Sequence, residues 1–153
     1  MIQDTTLSYL AGFVDGDGSI GVCLEPKTRG RWGATPFLSI SNVNPTVPHL
    51  CRLLFGGKCY LRVPKEPSRK PIWKWDARGT RAYQVVAQLY PYLSQKRPQA
   101  ENLLDFWEYW QRRLKYWRKI PLAFRVLYNR ERDEVLGYLA RSKDLNQRGI
   151  RHN

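Results

Sequence analysis

Two aspartates separated by a glycine, at the end of an apolar helical stretch, are the residues of this sequence whose spacing best suits chemistry. The run is Asp15-Gly16-Asp17-Gly18, and it follows apolar residues at helical spacing that begin at Leu7. Carboxylates at the C-terminus of a helix are disfavoured by the helix dipole, by about a few tenths of a kcal/mol each. A bound divalent cation would compensate for this placement, so the run is a candidate metal site.

A calcium loop is the first interpretation to test. If Asp15 and Asp17 were loop positions three and five, Gly18 would correctly occupy position six. Position one would then be Phe13 and position twelve Leu24, neither of which is a ligand, and a strand pattern follows where a helix is required. The calcium loop is therefore excluded. A plain helix end turning into a hairpin explains the glycines but not the two carboxylates.

Charge is the strongest signal in the composition. The 153 residues include 26 Lys and Arg against 13 Asp and Glu, with a net charge of +13. So basic a chain is typical of proteins that bind a polyanion, because counterions released from phosphates drive association. The sequence shows neither a membrane-spanning run nor a secretory signal, and its three widely spaced cysteines do not predict a zinc site. We expect an intracellular protein without a membrane partner; an organellar, archaeal or bacterial host is not distinguishable.

The remaining chain alternates helical and strand patterns. Period-two alternation predicts strands near residues 20–25, 37–41, 58–63 and 73–78, and helical patterns precede, separate and follow them. The predicted order is α-β-β-α-β-β-α with additional C-terminal helices, in the α+β class. We predict one domain over 1–141 and a mobile basic tail over 142–153.

The stretch from Leu10 to Gly18, LAGFVDGDG, resembles the motif of the LAGLIDADG homing endonucleases. The predicted element order matches the αββαββα fold of that family, in which a curved antiparallel four-stranded sheet lies over DNA. One motif copy in a chain of this length implies the homodimeric type. The motif helices of two subunits would then pack together through small residues, here Ala11, Gly12 and Gly16.

The resemblance also implies a catalytic centre. Asp17 would hold the metal, with the Gly16 carbonyl as an auxiliary ligand. The metal would be Mg²⁺; Mn²⁺ is expected to substitute, and Ca²⁺ to bind without cleavage. Asn44, matching a polar residue that ends the second strand, would position the attacking water, and Lys96 would stabilise developing phosphate charge. Asp15 is expected to cap or support the motif turn.

One position departs from the family pattern. A basic residue usually follows the second strand by a few positions, where this sequence has a proline-containing segment, residues 45–48. His49 or Arg52 is a candidate substitute.

Strand alternation by itself assigns side chains to a face opposite the core. Arginines there can read guanine, acids can accept from cytosine, and loop cations can hold phosphates. The predicted DNA-binding residues are Glu25, Lys27, Arg29, Arg31, Thr35, Phe37, Ser39, Ser41, Tyr60, Arg62, Lys65, Arg69, Lys70, Lys74, Asp76 and Arg78. Gly21 and Cys23 lie on the same predicted face.

These features predict an intron-encoded, sequence-specific homing endonuclease. It would cut both strands of a long pseudo-palindromic DNA site by Mg²⁺-dependent phosphodiester hydrolysis, as a homodimer. Two alternatives stay open: an RNA-binding maturase with intron RNA as its partner, and a DNA-binding regulator whose motif is vestigial.

Overall fold

A computed structural model of the chain describes residues 2–26, 32–117 and 128–148. The described residues form five α-helices, one 3-10 turn and one four-stranded sheet. The elements in chain order are α1 (Asp4–Asp17), β1 (Gly18–Pro26), β2 (Trp32–Asn42), α2 (Thr46–Phe55), β3 (Lys58–Arg62), β4 (Ile72–Arg78), α3 (Thr80–Leu89), the 3-10 turn Tyr90–Tyr92, α4 (Arg97–Trp117) and α5 (Tyr128–Arg148). The predicted α+β order with additional C-terminal helices is confirmed.

The sheet is antiparallel throughout, with strand order β1-β2-β4-β3. Its register places Ile20 opposite Leu38, and Leu38 opposite Ala77, and all three are buried. Because successive side chains of a strand point to opposite faces, the residues between them belong to the other face. The sheet therefore has one apolar face and one polar face, as the alternation predicted.

The main core lies between the apolar face and helices α1 to α4. It contains Leu10 and Val14 from α1, Trp75 from β4, Val86 from α3 and Leu103 from α4, all almost fully buried. A smaller cluster at the far end of β1 joins the sheet to α4 and α5. Helices α1 to α4 cover the apolar face. On the polar face, Ser142 and Asn146 of α5 lie beside Gly21 at the β1 edge, and the rest of this face, as far as its residues are described, is left to solvent or to a ligand.

The turn from α2 into β3 depends on two glycines. Gly56 and Gly57 have φ angles of 70° and 93°, a region that favours glycine. A Cβ on Gly57 would also lie 2.7 Å from the Asp76 carbonyl oxygen. The indole nitrogen of buried Trp75 donates to the Gly56 carbonyl oxygen at 2.7 Å, which fixes the turn against the core.

Helix α5 corrects the predicted C-terminal tail. Residues 142–148 continue α5, and Ser142 is buried. The Ser142 hydroxyl accepts a hydrogen bond from the Val22 amide at 2.9 Å, and the Asn146 side chain donates to the Ile20 carbonyl oxygen at 3.0 Å. These bonds satisfy backbone groups at the edge of β1, so this segment is part of the folded domain. Residues 149–153 lie outside the described part of the chain.

The three cysteines are free thiols. Burial raises the pKa of Cys51 to about 12, and burial also raises the pKa of Cys59. Cys51 is therefore a neutral core residue near pH 7. None of the described helices is both long enough and apolar enough to cross a membrane.

Candidate active site

The end of helix α1 brings the second acid of the motif to the protein surface. Asp17 is the last residue of α1, and β1 begins at the next residue, Gly18. A Cβ on Gly18 would lie 2.7 Å from the Val14 carbonyl oxygen, so only glycine fits this abrupt change from helix to strand. The Asp17 side chain is exposed, and its Oδ2 accepts a hydrogen bond of 3.0 Å from Asn42 Nδ2.

Lys96 lies against the same helix end. Its Nζ donates to the Asp15 carbonyl oxygen at 2.6 Å and, at 3.4 Å, to the Gly16 carbonyl oxygen. Burial lowers the pKa of Lys96, while the negative charges of Asp15 and Asp17 oppose that shift. The structure therefore brings Lys96, 80 residues from Gly16 in sequence, to the Gly16 carbonyl and the neighbouring Asp17.

Asp15 holds the loop that carries Lys96. Its Oδ2 accepts from the Ser94 amide at 2.7 Å, and its Oδ1 accepts from the Lys96 amide at 2.8 Å. The Lys96 carbonyl oxygen in turn accepts from the Ala100 amide in the first turn of α4 at 3.0 Å. Both Asp15 oxygens are thus used to fix the start of α4, which fits a supporting role better than a metal-binding one.

Asn44 does not end strand β2, contrary to the expectation, and its role in positioning the attacking water stays a prediction. Strand β2 ends two residues earlier, at Asn42, and Asn42 is the residue whose side chain contacts Asp17. The Asn44 side chain instead accepts from the Thr46 amide at 2.9 Å, at the beginning of α2. The strand pattern could have pointed to either asparagine, because the end of a strand is uncertain by about two residues from sequence.

The two candidate substitutes for the missing basic residue lie on α2. His49 packs edge-on against Trp73, with ring centroids 4.7 Å apart. Arg52 is exposed near the end of α2, and its backbone carbonyl oxygen accepts from the Gly56 amide. The contact with Trp73 holds the His49 ring against the sheet. The hydrogen bond of the Arg52 carbonyl is part of the end of α2.

The polar face of the sheet gathers most of the predicted DNA-binding residues. The register sets Phe37 opposite Arg78, Ser39 opposite Asp76 and Ser41 opposite Lys74. The residues that the sequence assigned to this face, and that lie on it in the described part of the chain, are Gly21, Cys23, Thr35, Phe37, Ser39, Ser41, Tyr60, Arg62, Lys74, Asp76 and Arg78. Glu25 belongs to the same row of β1 by its register opposite Gly33. Lys27, Arg29 and Arg31 lie outside the described residues.

A cationic hollow lies where β3 and β4 meet α3. It is lined by Lys58, Tyr60, Asp76, Arg78 and Arg81, together with Gly57. Lys58 and Arg81 were not among the predicted DNA-binding residues. Lys58 could have been predicted, because Lys58 and Tyr60 lie on the same side of β3 and alternate with Cys59. Arg81 reaches the hollow from α3, where no alternation marks it.

The loop between β3 and β4 adds a second group of cations. Lys65, Arg69 and Lys70 are exposed, and together with Arg62 and Glu66 they line a shallow depression. The Arg69 guanidinium lies 2.7 Å from the Glu66 carboxylate, and both side chains are mostly exposed. An ion pair this exposed contributes little to stability, so the cations remain available for an external anion.

The outer face of α1 differs from the predicted dimer face at one position. Ala11 is fully buried in the core of its own subunit, so it cannot also pack against a second subunit, and that prediction is wrong. Gly12 and Gly16 are exposed, and a Cβ on either would meet no atom within 4 Å. Tyr9 lies on the same helical face and is 55% exposed.

The Asp17 carboxylate and the Gly16 carbonyl fit Mg²⁺ only if further ligands come from outside the subunit. Within the described residues, no group of three or more His, Cys, Asp or Glu side chains is placed to hold a metal ion. One exposed carboxylate beside a backbone carbonyl is nevertheless a donor set that Mg²⁺ accepts, because this ion keeps several waters and binds substrate phosphates. Asp17 and Gly16 are therefore compatible with a metal shared with DNA.

Solved structures similar to this one are homing endonucleases, although no protein-family model and no curated protein matches the chain. I-CvuI, in complex with the I-CreI target, is 21% identical, with a TM-score of 0.56 over 68% of this chain and 66% of its own. The group I intron-encoded I-CeuI, complexed with DNA, is 13% identical, with a TM-score of 0.57 over 73% and 58%. The LAGLIDADG homing endonuclease I-GzeII, in complex with its DNA target, is 16% identical, with a TM-score of 0.55 over 70% and 36%.

The match spans about two thirds of the I-CvuI chain and about a third of the I-GzeII chain. At these identities the likeness concerns the fold. It agrees with the motif at the end of α1 and with the antiparallel sheet beside it. The chain has the fold of the LAGLIDADG homing endonucleases.

Proposed function

We propose that this chain is a sequence-specific DNA endonuclease that cuts both strands of a long pseudo-palindromic site as a homodimer. The observation that carries the proposal is the cluster of Asp17, the Gly16 carbonyl and Lys96 at the end of α1, beside a cationic sheet face. A single domain, which includes the described residues 2–26, 32–117 and 128–148, would form each subunit.

The polar face of the sheet supports the DNA-binding part of the proposal. Four strands present a row of hydroxyls and cations, including Ser39, Ser41, Arg62 and Arg78, on the face that no helix of the described core covers. The major groove of DNA admits β-strands, and its base edges are read by side chains of these types. The exposed loop cations near Lys65 are placed to contact phosphates, which position the protein without reading sequence.

The catalytic part rests on groups held at the end of α1. Asp17 and the Gly16 carbonyl would hold Mg²⁺, for which Mn²⁺ would substitute and Ca²⁺ would support binding without cleavage. When bound, the metal supplies Lewis-acid stabilisation of a phosphate oxygen and a more acidic bound water. Asn42 orients the Asp17 carboxylate through its hydrogen bond. Lys96 places a positive charge beside this carboxylate, where it stabilises negative charge developing on the phosphate.

The number of acids and the shape of α1 support the homodimer. Each subunit offers one exposed motif carboxylate, whereas cutting two strands requires two. The open spaces at Gly12 and Gly16 would let the α1 helices of two subunits approach closely, as small residues do at helix contacts. Two subunits related by a two-fold axis would read the two halves of a pseudo-palindrome.

The test begins by finding a target. The wild-type protein is incubated with a randomised duplex library and Mg²⁺, and the cut ends are sequenced. On the recovered site, Asp17→Asn should retain binding in Ca²⁺ and lose cleavage in Mg²⁺ by a factor of 100 or more, roughly that of a major electrostatic catalytic group. Asp133→Asn on the exposed surface of α5 is the matched control and should cut normally.

Three outcomes would contradict the proposal. Cleavage by Asp17→Asn at the control's rate would remove Asp17 from the metal site. A wild-type protein that binds a specific duplex but never cuts it, in Mg²⁺ or Mn²⁺, would be a DNA-binding regulator. Tighter binding to structured RNA than to any duplex would favour the maturase.

A further inference from the structure

One carboxylate on the polar face of the sheet is shared by two donors. Asp76 Oδ2 accepts from the Tyr60 hydroxyl at 2.9 Å, and Asp76 Oδ1 lies 3.1 Å from Lys74 Nζ. Tyr60 pairs with Lys74 across β3 and β4, while Asp76 pairs with Lys58, so the Tyr60 contact is diagonal. The Asp76 side chain is only 16% exposed. The three side chains form one network, which we call the Asp76 network.

An acid in this position works against DNA binding. The surrounding hollow is lined by Lys58, Arg78 and Arg81, and a carboxylate among them repels the phosphates that they would attract. Each Asp76 oxygen already accepts from a protein donor, so a direct contact with cytosine is not its main use. Holding Tyr60 and Lys74 in fixed positions is a role that its contacts do support.

The network leaves defined hydrogen-bonding groups free. Because the Tyr60 hydroxyl donates to Asp76, its oxygen still has lone pairs that can accept. Lys74 uses one of its N–H groups on Asp76 and has two more to donate. An acceptor and an ammonium therefore lie side by side on the polar face. In the major groove a G·C pair offers the complement, with two acceptors on guanine and an amino donor on cytosine.

We propose that Asp76 is a positioning residue for sequence recognition, and that the Asp76 network reads one G·C pair in each half of the DNA target. Lys74 donates to guanine O6 and N7, and the Tyr60 oxygen accepts from the amino group of the paired cytosine. This inference rests on the proposed function, because it specifies what one part of the DNA-binding face recognises.

The proposal predicts opposite changes in specificity and in general affinity. In Asp76→Asn only the amide oxygen can accept, so the NH2 group faces either Lys74, which then loses its partner, or Tyr60, whose oxygen then accepts from the amide instead of from DNA. Preference for G·C at one position per half-site should fall about tenfold, within the range for one base-specific contact. Binding to non-specific DNA should strengthen, because a negative charge has been removed. A mere loss of folding would weaken both.

The experiment selects bound duplexes from a library randomised over the half-sites, in Ca²⁺, and sequences them. Asp76→Asn, Lys74→Met and Tyr60→Phe should relax preference at the same base-pair position. Adding Asp76→Asn to the Lys74→Met and Tyr60→Phe double variant should relax it no further. Glu66→Gln is the charge control, because it removes an exposed acid of the β3–β4 loop, outside the network. It should strengthen non-specific binding without changing any base preference.

Three results would overturn the inference. They are an unchanged preference profile in Asp76→Asn, relaxation at a position different from that of Lys74→Met, and loss of preference at every position together with a lowered melting temperature. A wild-type protein with no sequence preference at all would instead overturn the proposed function, and this inference with it. The wild-type profile therefore separates the two failures.

Discussion

Removing the Asp15 carboxylate tests how the structure holds Lys96 at the candidate catalytic centre. The two Asp15 oxygens accept from the Ser94 and Lys96 amides at 2.7 and 2.8 Å. A hydrogen bond to a charged group contributes about 1.5–3 kcal/mol, and the partial exposure of this site favours the lower end. Asp15→Ala, which loses both bonds, should therefore lower the free energy of unfolding by about 3 kcal/mol. Asp15→Asn keeps one acceptor oxygen and should lose about half as much.

Urea denaturation at neutral pH measures both changes, with Asp133→Ala on the surface of α5 as the control. The expected order of stability is wild type, then Asp15→Asn, then Asp15→Ala. If Asp15→Ala were as stable as the control, the two hydrogen bonds would not hold this loop. Equal losses of unfolding free energy in Asp15→Asn and Asp15→Ala would contradict the assignment of one amide to each Asp15 oxygen.

A kinetic cycle then separates positioning from stability. If Asp15 acts on catalysis through Lys96, Asp15→Asn should slow cleavage in the wild-type background but leave the rate of a Lys96→Met variant unchanged. Temperature is kept well below the melting point of every variant. A further decrease in the double variant would show that Asp15 acts on the reaction independently of Lys96.

Two further predictions concern the outer face of α1 and the end of α5. Gly12→Leu should fold, because an added Cβ meets no atom of its own subunit within 4 Å, yet it should sediment as a monomer. Gly137→Leu on α5 is equally unobstructed and should remain dimeric. Identical molecular masses for the two variants in sedimentation would contradict the α1 interface. Ser142→Ala leaves the buried Val22 amide without its acceptor and should lower the free energy of unfolding, measured in urea, by about 1–3 kcal/mol. Lys143→Ala is the control and should have no effect. If Ser142→Ala were equally neutral, this segment would contribute nothing to the fold.

The sheet could be predicted from the sequence because its pattern is local. In β1, Ile20 and Val22 alternate with Gly21 and Cys23, and the register confirms that alternate residues belong to opposite faces. A period of two requires no knowledge of the partner strand, so the alternation itself separated core positions from the polar face. The element order and the fold followed from the same patterns together with the motif.

The candidate site was less predictable, because it depends on where elements end and which way they turn. The adjacent small residues Ala11 and Gly12 look equivalent in sequence, but one is buried in the core and the other faces outwards. Which side of α1 is buried depends on where the sheet and the other helices lie. The same holds for Asn42, which contacts Asp17 because β2 ends there by pairing with Trp73 of β4.

The C-terminal helix shows the same limit over a longer distance. Residues 142–148 are mostly polar, a composition typical of a mobile tail. They are instead held in the fold by hydrogen bonds from Ser142 and Asn146 to the edge of β1, more than a hundred residues away in sequence. Local patterns and a motif that ends in Asp17 thus determined the element order, the polar face and the catalytic candidate. Only the tertiary structure decided which asparagine contacts Asp17 and how Lys96 lies against the end of α1, because those contacts join segments that no local period connects.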